Sequence, residues 1–139
     1  MFQWAFIGAG AIAQTAAEEI TANGHSVAAV YSRTRARAAE LARKYGANVS
    51  DSLHDLLQSG ADAAYIATPH ASHYPYLMAC IEAGVPALCE KAFTVNAAQA
   101  KRALGFARQR GVYVMEGMWT RFLPVIRAVQ KSIAAGEIG

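Results

Sequence analysis

The sequence has few cysteines, few charges and no long apolar run. Its 139 residues include two cysteines, Cys80 and Cys89, too few for a disulfide framework and typical of a reducing compartment. No apolar stretch approaches the roughly 18 residues of a membrane-spanning helix, and the first residues lack the pattern of a secretory signal. The net charge of +3 is too mild to indicate a nucleic-acid partner. We therefore expect a cytoplasmic domain with neither a membrane nor a nucleic-acid partner.

What the sequence does contain is a regular alternation of short β-like runs and helical stretches. Hydrophobic residues make up 54%, enough for one domain with a sizeable core. The apolar runs are nearly uninterrupted, which is typical of parallel strands buried on both faces. Asn96 and Gln99 form a predicted capping box. The predicted strands are 2–7, 27–31, 47–49, 63–67, 86–89 and 112–115, and the later predicted helices are 34–45, 52–58, 72–83, 96–110 and 124–136. This pattern predicts an α/β fold, a parallel sheet with helices on both faces.

A glycine-rich loop joins the first predicted strand to the first helix, with the sequence Gly8-Ala9-Gly10-Ala11-Ile12-Ala13. It fits the pattern G-x-G-x-x-G/A, in which Gly8 allows a tight turn, Gly10 lets the backbone approach a pyrophosphate, and Ala13 lets helix pack on strand. The helix start presents free N–H groups and partial positive charge to phosphates. Because the loop leaves a strand and opens a helix, we interpret it as a dinucleotide-binding loop rather than a structural glycine turn.

The residues after the second predicted strand indicate which dinucleotide binds. An NAD site places Asp or Glu there, about 20 residues beyond the glycines, whereas residues 31–37 contain no carboxylate. A guanidinium can hold a 2′-phosphate with two parallel hydrogen bonds, and the Ser32 and Thr34 hydroxyls can add donors. We therefore predict NADP, with Arg33 at the 2′-phosphate. Arg37 shares a helix face with Arg33 and is either a second phosphate ligand or part of a solvated basic face.

Polar residues also follow the fourth predicted strand. Thr68 and His70 would project near the carboxyl edge of the sheet, where the nicotinamide end of a dinucleotide would lie. His73 begins the next helix and is either a cofactor contact or a cap or loop hydrogen bonder. Since no Cys or carboxylate accompanies the two histidines at ligand spacing, we predict no metal site.

The pair Glu90-Lys91 ends the fifth predicted strand and carries the sharpest chemical signal. A lysine at a strand's carboxyl end points into the cofactor crevice, where it can pass a proton to or from a hydroxyl; a solvated strand-end lysine is the alternative. Glu90 would orient Lys91 or simply end the strand. After the sixth strand, Trp119 and Arg121 would flank the nicotinamide or the substrate, and packing between domains is the equal alternative for Trp119.

Together these residues resemble the glucose–fructose oxidoreductase/inositol dehydrogenase/MocA family over essentially the whole chain. The motifs that carry the resemblance are Gly8-x-Gly10-x-x-Ala13, Ser32-Arg33, Thr68-Pro69-x-x-x-His73, Ala83-Gly84-Val85 and Glu90-Lys91. Within the family, three segments resemble the dimeric trans-dihydrodiol dehydrogenase and NADP-dependent D-xylose dehydrogenase branch. These segments are residues 67–70, 88–91 and 119–124.

The resemblance implies a Rossmann-like doubly wound sheet and an NADP-dependent dehydrogenase or reductase. Such an enzyme moves a hydride between nicotinamide and a carbinol or carbonyl carbon of a sugar or cyclic diol. Lys91 would be the catalytic residue that assists proton transfer. The cofactor-binding residues would be Gly8, Ala9, Gly10, Ala11, Ile12, Ser32, Arg33, Arg37, Thr68, His70, His73, Glu90, Lys91, Trp119 and Arg121.

The resemblance also implies how the chain divides. Residues 1–119 would be the NADP-binding domain, and 120–139 a connecting helix and the start of a substrate domain that is otherwise absent. We expect the full-length form to be a homo-oligomer through that domain. This chain alone is expected to turn over poorly, because hydride transfer needs a substrate held in register. The alternative is a non-catalytic nucleotide-binding or sensing module.

One position departs from the family pattern. The family usually has proline after the Glu-Lys pair, whereas this chain has Ala92. Because a cis bond before a non-proline residue costs about 2.5–4 kcal/mol, we expect a trans peptide between Lys91 and Ala92.

Overall fold

Six strands form one parallel sheet in the computed structural model, which describes residues 1–138. The strands are β1 (Gln3–Ile7), β2 (Ser26–Tyr31), β3 (Asn48–Val49), β4 (Ala63–Ile66), β5 (Ala87–Glu90) and β6 (Val114–Gly117). Their order is β3-β2-β1-β4-β5-β6, and each neighbouring pair is parallel. The direction of winding reverses between β1 and β4, which is the position where open sheets of this kind bind ligands. The predicted Rossmann-like α/β fold is confirmed.

Helices connect the strands on both faces of the sheet. Within the described residues the α-helices are α1 (Ala11–Ala22), α2 (Arg35–Tyr45), α3 (Leu53–Leu57), α4 (His73–Glu82), α5 (Ala97–Arg110) and α6 (Pro124–Ala134). Two short 3-10 helices precede α4 and α6, at His70–Ser72 and Trp119–Phe122. The predicted elements are therefore present with small shifts at their ends; the sixth strand, for example, begins at Val114 rather than Val112.

Two of the helix starts are fixed by side chains that accept a backbone hydrogen bond. The Ser52 hydroxyl accepts from the Asp55 N–H at 3.0 Å at the start of α3, and the Asn96 side chain accepts from the Gln99 N–H at 2.9 Å at the start of α5. The predicted capping box at α5 is only half formed, because the Gln99 Oε1 atom is buried without a hydrogen-bond partner.

Most of the core lies in two layers, one on each face of the sheet, and a third, smaller cluster packs α4 against α5. On one face, α1 and α2 pack through small residues, and Ala13 and Ala17 of α1 are fully buried beside Phe6 of β1. On the other face, α3 and α4 bury Leu56 and Leu77 against the same strands. Because Ala13 has no side chain beyond Cβ, α1 can pack on the sheet, with Ala13 in the same core cluster as Phe6 of β1.

The last helix is not part of either layer. The apolar residues Val125, Ile126, Val129 and Ile133 of α6 are 36–61% exposed. The predicted domain boundary after residue 119 stays a prediction, and Gly139, the end of the predicted second segment, lies outside the described residues. None of the described helices is long and apolar enough to span a membrane.

Candidate functional site

A cleft of about 340 Å³ opens at the carboxyl edge of the sheet, beside the point where β1 and β4 meet. It is formed by the loops that leave β1, β2 and β4, together with one residue each from α2 and α4. The lining residues are Gly8, Ala9, Gly10, Tyr31, Ser32, Arg33, Thr34, Arg37, Ala67, Thr68, Pro69 and Tyr76. Seven of the predicted cofactor-binding residues are therefore brought together: Gly8, Ala9, Gly10, Ser32, Arg33, Arg37 and Thr68.

The first glycine of the loop forms a tight turn against β4. Gly8 has a φ of +105°, and an added Cβ would lie 2.5 Å from the Ala67 carbonyl oxygen. Its N–H donates to the Tyr31 carbonyl at 2.8 Å. Only glycine accepts both this backbone conformation and this close approach.

The second glycine faces open space instead. Gly10 is the N-cap of α1 with extended backbone, and no side chain within the described residues caps this helix. A Cβ added at Gly10 would meet no atom within 4 Å. The first N–H groups of α1 are therefore left for an external acceptor, at the positive end of the helix dipole.

The β2 side of the cleft is basic. Arg33 and Arg37 line it, and none of its lining residues is a carboxylate. Arg35, which lies between them in sequence, forms an ion pair with Asp51 and is not part of the lining. Ser32 shapes the turn, since its hydroxyl accepts from the Thr34 N–H at 3.3 Å. This arrangement favours an anionic group at the end of β2.

Two aromatic residues of the cleft were not predicted from the sequence. Tyr31 is the last residue of β2 and Tyr76 lies on α4, and both line the cleft near Arg33. Burial is the main cause that raises the pKa of Tyr76 above its ordinary value of 10.0, and the electrostatic effect of the neighbouring Tyr31 is the second. An aromatic residue at the end of a strand that precedes a basic turn is the sequence signal that would have identified Tyr31.

Thr68 lines the cleft, and its Oγ1 atom is buried without a hydrogen-bond partner among the groups that the structure describes. Leaving a buried polar group unsatisfied costs roughly 1–3 kcal/mol. The open space at Gly10 and the uncapped start of α1 fit the phosphates of a nucleotide cofactor.

Glu90 and Lys91 lie beyond this lining, at the end of β5. The Glu90 carboxylate accepts a 2.6 Å hydrogen bond from the Tyr65 hydroxyl of β4 and a 3.2 Å bond from the Lys91 N–H. Burial is the main cause that raises the pKa of Tyr65 far above its ordinary range, and the hydrogen bond to Glu90 is the second. The Lys91 side chain is exposed, and Glu90 makes no ion pair with it in the part of the chain described.

The expectation of a trans peptide after Lys91 was wrong, because the Lys91–Ala92 bond is cis. Contacts on both sides determine the path of this loop. The Ala92 carbonyl lies 2.8 Å from the Nδ1 atom of His73, and the Phe93 N–H donates to Glu116 Oε1 at 2.8 Å. These contacts join segments that are far apart in the sequence, so the local preference for a trans peptide does not include them.

The two predicted histidines occupy different environments. His70 is exposed on the turn after β4, with its ring edge-on to His73 at a centroid distance of 5.4 Å. His73 is completely buried, and its Nε2 atom lies 2.8 Å from the Thr68 carbonyl oxygen. Of the two interpretations of His73, this geometry favours the loop hydrogen bonder.

Four further predicted residues lie outside the cleft lining. Ala11 and Ile12 form the first turn of α1 and are exposed. Trp119, which is 59% exposed, lines a separate apolar cavity with Glu90 on the α1 side of β5 and β6. Arg121 is exposed in the 3-10 turn beside it. Flanking the nicotinamide or the substrate and packing between domains therefore both stay predictions for Trp119.

Comparison with known proteins agrees with this geometry. The family described as "Oxidoreductase family, NAD-binding Rossmann fold" matches residues 2–118. Trans-1,2-dihydrobenzene-1,2-diol dehydrogenase of Mus musculus is 35% identical over 142 residues, covering 99% of this chain and 43% of that protein. D-xylose 1-dehydrogenase (NADP(+)) of Hypocrea jecorina is 34% identical over 152 residues, covering 99% and 39%. This chain thus spans about two fifths of the length of these relatives.

Solved structures of other proteins are also similar to this chain. KijD10, a 3-ketoreductase from Actinomadura kijaniata in complex with NADP and TDP-benzene, has a TM-score of 0.90 at 29% identity, covering 99% of this chain and 43% of that one. GenD2 from gentamicin A biosynthesis, in complex with NAD, has a TM-score of 0.88 at 28% identity, covering 94% and 38%. The chain therefore belongs to the Gfo/Idh/MocA family of oxidoreductases and has that family's NAD(P)-binding Rossmann fold.

Proposed function

We propose that this chain is the cofactor-binding domain of an NADP-dependent oxidoreductase. The enzyme transfers a hydride between the nicotinamide and a carbinol or carbonyl carbon of a sugar or cyclic diol. Residues 1–119 bind the cofactor, and residues 120–139 lead into a substrate domain through which the longer protein forms a homo-oligomer. The substrate class is supported by the relatives, since a dihydrodiol and D-xylose both offer a CH–OH group for oxidation.

The observation that carries the choice of NADP is the composition of the cleft. Arg33 and Arg37 line it together with the glycine loop, in the absence of any carboxylate among its lining residues. A carboxylate at this position would accept from the ribose 2′-hydroxyl of NAD and repel a 2′-phosphate. The relatives include proteins named or solved with NADP and one solved with NAD, so the proposal of NADP rests on these local residues.

Each group in the cleft has a defined binding role in this proposal. The free amides at the start of α1 bind the pyrophosphate, and Gly10 leaves room for it. Arg33 binds the 2′-phosphate, with Arg37 as the second cation. Thr68 contacts the bound nucleotide as part of the cleft lining. When bound, the cofactor supplies or accepts the hydride at its nicotinamide ring.

Lys91 carries the proton in this proposal. Its exposed side chain follows β5, one strand away from the cleft, and its ammonium group donates a proton to the substrate oxygen or receives one from it. Glu90 holds the end of β5 through Tyr65. Glu90 is therefore a positioning residue rather than a second proton carrier.

A non-catalytic nucleotide-binding module is the second candidate. The observation in its favour is that Lys91 is outside the residues that line the cleft. The two candidates differ in the effect of Lys91→Met once a substrate domain is supplied on the same chain. If Lys91 transfers the proton, Lys91→Met lowers turnover by orders of magnitude. If the chain is a sensing module, Lys91→Met leaves its nucleotide binding unchanged.

Titration with NADPH and NADH tests the proposed cofactor. We expect wild type to bind NADPH more tightly than NADH. Arg33→Asp should weaken NADPH binding at least about 10- to 100-fold, because a charge-assisted contact is lost and the new carboxylate repels the 2′-phosphate, and it should leave NADH binding unchanged or tighten it, because the carboxylate can accept from the ribose 2′-hydroxyl. Arg43→Asp is the matched control, because Arg43 is an exposed arginine further along the same helix. Tighter binding of NADH by wild type would refute NADP as the cofactor.

A further inference from the structure

His73 is the one polar or charged side chain in the described residues that is fully buried. Its imidazole lies at the start of α4, between the loops that leave β4 and β5. The Nε2 atom is 2.8 Å from the Thr68 carbonyl oxygen, and the Nδ1 atom is 2.8 Å from the Ala92 carbonyl oxygen. One side chain thus joins two loops that are separate in sequence.

Each of these loops carries one part of the proposed site. Thr68 lines the nucleotide cleft, and Ala92 directly follows Lys91. The glycine loop belongs to the same unit, because the backbone of Gly8 lies against the Ala67 carbonyl. Contacts therefore run from the glycine loop through the end of β4 to His73, and from His73 to the Lys91 loop.

Both partners of the ring are carbonyl oxygens, which only accept hydrogen bonds. Which ring nitrogen donates depends on the tautomer of the imidazole, and each nitrogen lies 2.8 Å from one of the two oxygens. The buried ring therefore holds the two loops at a fixed separation.

We propose that His73 is a positioning residue, which fixes the Lys91 loop relative to the nucleotide cleft through the contacts of its two ring nitrogens. The inference rests on the proposed function for its consequence, the alignment of Lys91 with a bound cofactor. The two contacts themselves belong to the chain without ligand, so they can be tested separately.

The first experiment records the carbonyl carbon resonances of Thr68 and Ala92 in the cofactor-free chain, for wild type and for His73→Phe. Because the ring contacts both carbonyl oxygens, both resonances should shift when the ring nitrogens are removed. Unchanged resonances in a folded variant would overturn the proposal. Failure of NADPH binding would leave this measurement intact.

The second experiment compares His73→Gln with His73→Phe. The phenylalanine fills the buried space without a donor, and the glutamine amide retains N–H groups. For His73→Phe we expect altered carbonyl resonances at both Thr68 and Ala92 and roughly tenfold weaker NADPH binding, the size of about one net hydrogen bond. His73→Gln should recover part of both effects. A folded His73→Phe chain with wild-type carbonyl resonances and NADPH affinity would refute the positioning role.

Discussion

The Tyr65 hydroxyl donates a 2.6 Å hydrogen bond to the Glu90 carboxylate, which joins the central strand β4 to the end of β5. The Tyr65 side chain is buried, and Glu90 is half-buried at the point where the chain turns into Lys91. The carboxylate therefore has a fixed partner on the neighbouring strand, and this partner is aromatic rather than the adjacent lysine. The following predictions begin with this pair.

Removing the Tyr65 hydroxyl should destabilise the fold. In Tyr65→Phe the Glu90 carboxylate loses a charge-assisted hydrogen bond in a partly buried site, which costs about 1–3 kcal/mol of unfolding free energy. Denaturant titration measures the change. Tyr113→Phe is the matched control, because Tyr113 is 68% exposed, and it should change stability by less than about 0.5 kcal/mol.

The same pair predicts how stability changes at alkaline pH. Burial and the Glu90 hydrogen bond raise the pKa of folded Tyr65 well above the ordinary 10.0, so the unfolded chain releases this proton first. The contribution of Tyr65 is complete below pH 10.0 and is lost as the pH rises toward the folded value. The buried thiols act in the same direction, so the difference between wild type and Tyr65→Phe isolates the tyrosine. An unchanged difference above pH 10.0 would contradict this assignment.

Substitution by alanine should affect the two glycines of the loop differently, lowering stability at Gly8 and NADPH affinity at Gly10. Gly8→Ala places a Cβ 2.5 Å from the Ala67 oxygen at a φ of +105°, and we expect a loss of at least about 2 kcal/mol of stability. Gly10→Ala meets no atom within 4 Å, so its stability should stay within about 0.5 kcal/mol of wild type. NADPH affinity should nevertheless fall, because the new methyl group occupies the approach of the pyrophosphate. Thermal unfolding with and without NADPH separates the two effects.

Both cysteines should be unreactive in the native state. Burial raises the pKa of the Cys80 thiol to about 12 and also raises that of Cys89. Since the thiolate is the nucleophile, a thiol-specific disulfide reagent at neutral pH should label neither residue until the chain unfolds in denaturant. Rapid labelling of one equivalent in the folded chain would mean that one of these side chains is accessible.

The glycine loop and the basic turn were predictable because their roles are local. A glycine pattern between a strand and a helix determines both its own backbone and the start of α1. The end of β2 must lie at the same edge of a parallel sheet, so Arg33 could be assigned to the same cleft from sequence alone. The confirmed fold follows from the same alternation of apolar runs.

The differences between the predictions from sequence and the structure depend on tertiary packing. Trp119 follows β6, which the strand order places beyond β5 and away from the β1–β4 junction, and local sequence does not determine that order. Tyr76 reaches the cleft because of the rotation of α4 on the sheet. The burial of His73 and the path after Lys91 both depend on contacts between two loops, one after β4 and one after β5.

The pairing of β1 with β4 has a kinetic consequence. Trp4 pairs with Ala63, although two other strands and three helices intervene along the chain. Closing so long a loop is entropically costly before its contacts form, so this junction is slow to assemble. The cleft is lined by residues that follow both β1 and β4. A nascent chain that has not yet completed β4 therefore lacks part of the nucleotide-binding site. Ligand affinity should arise abruptly during refolding, together with closure of the sheet centre.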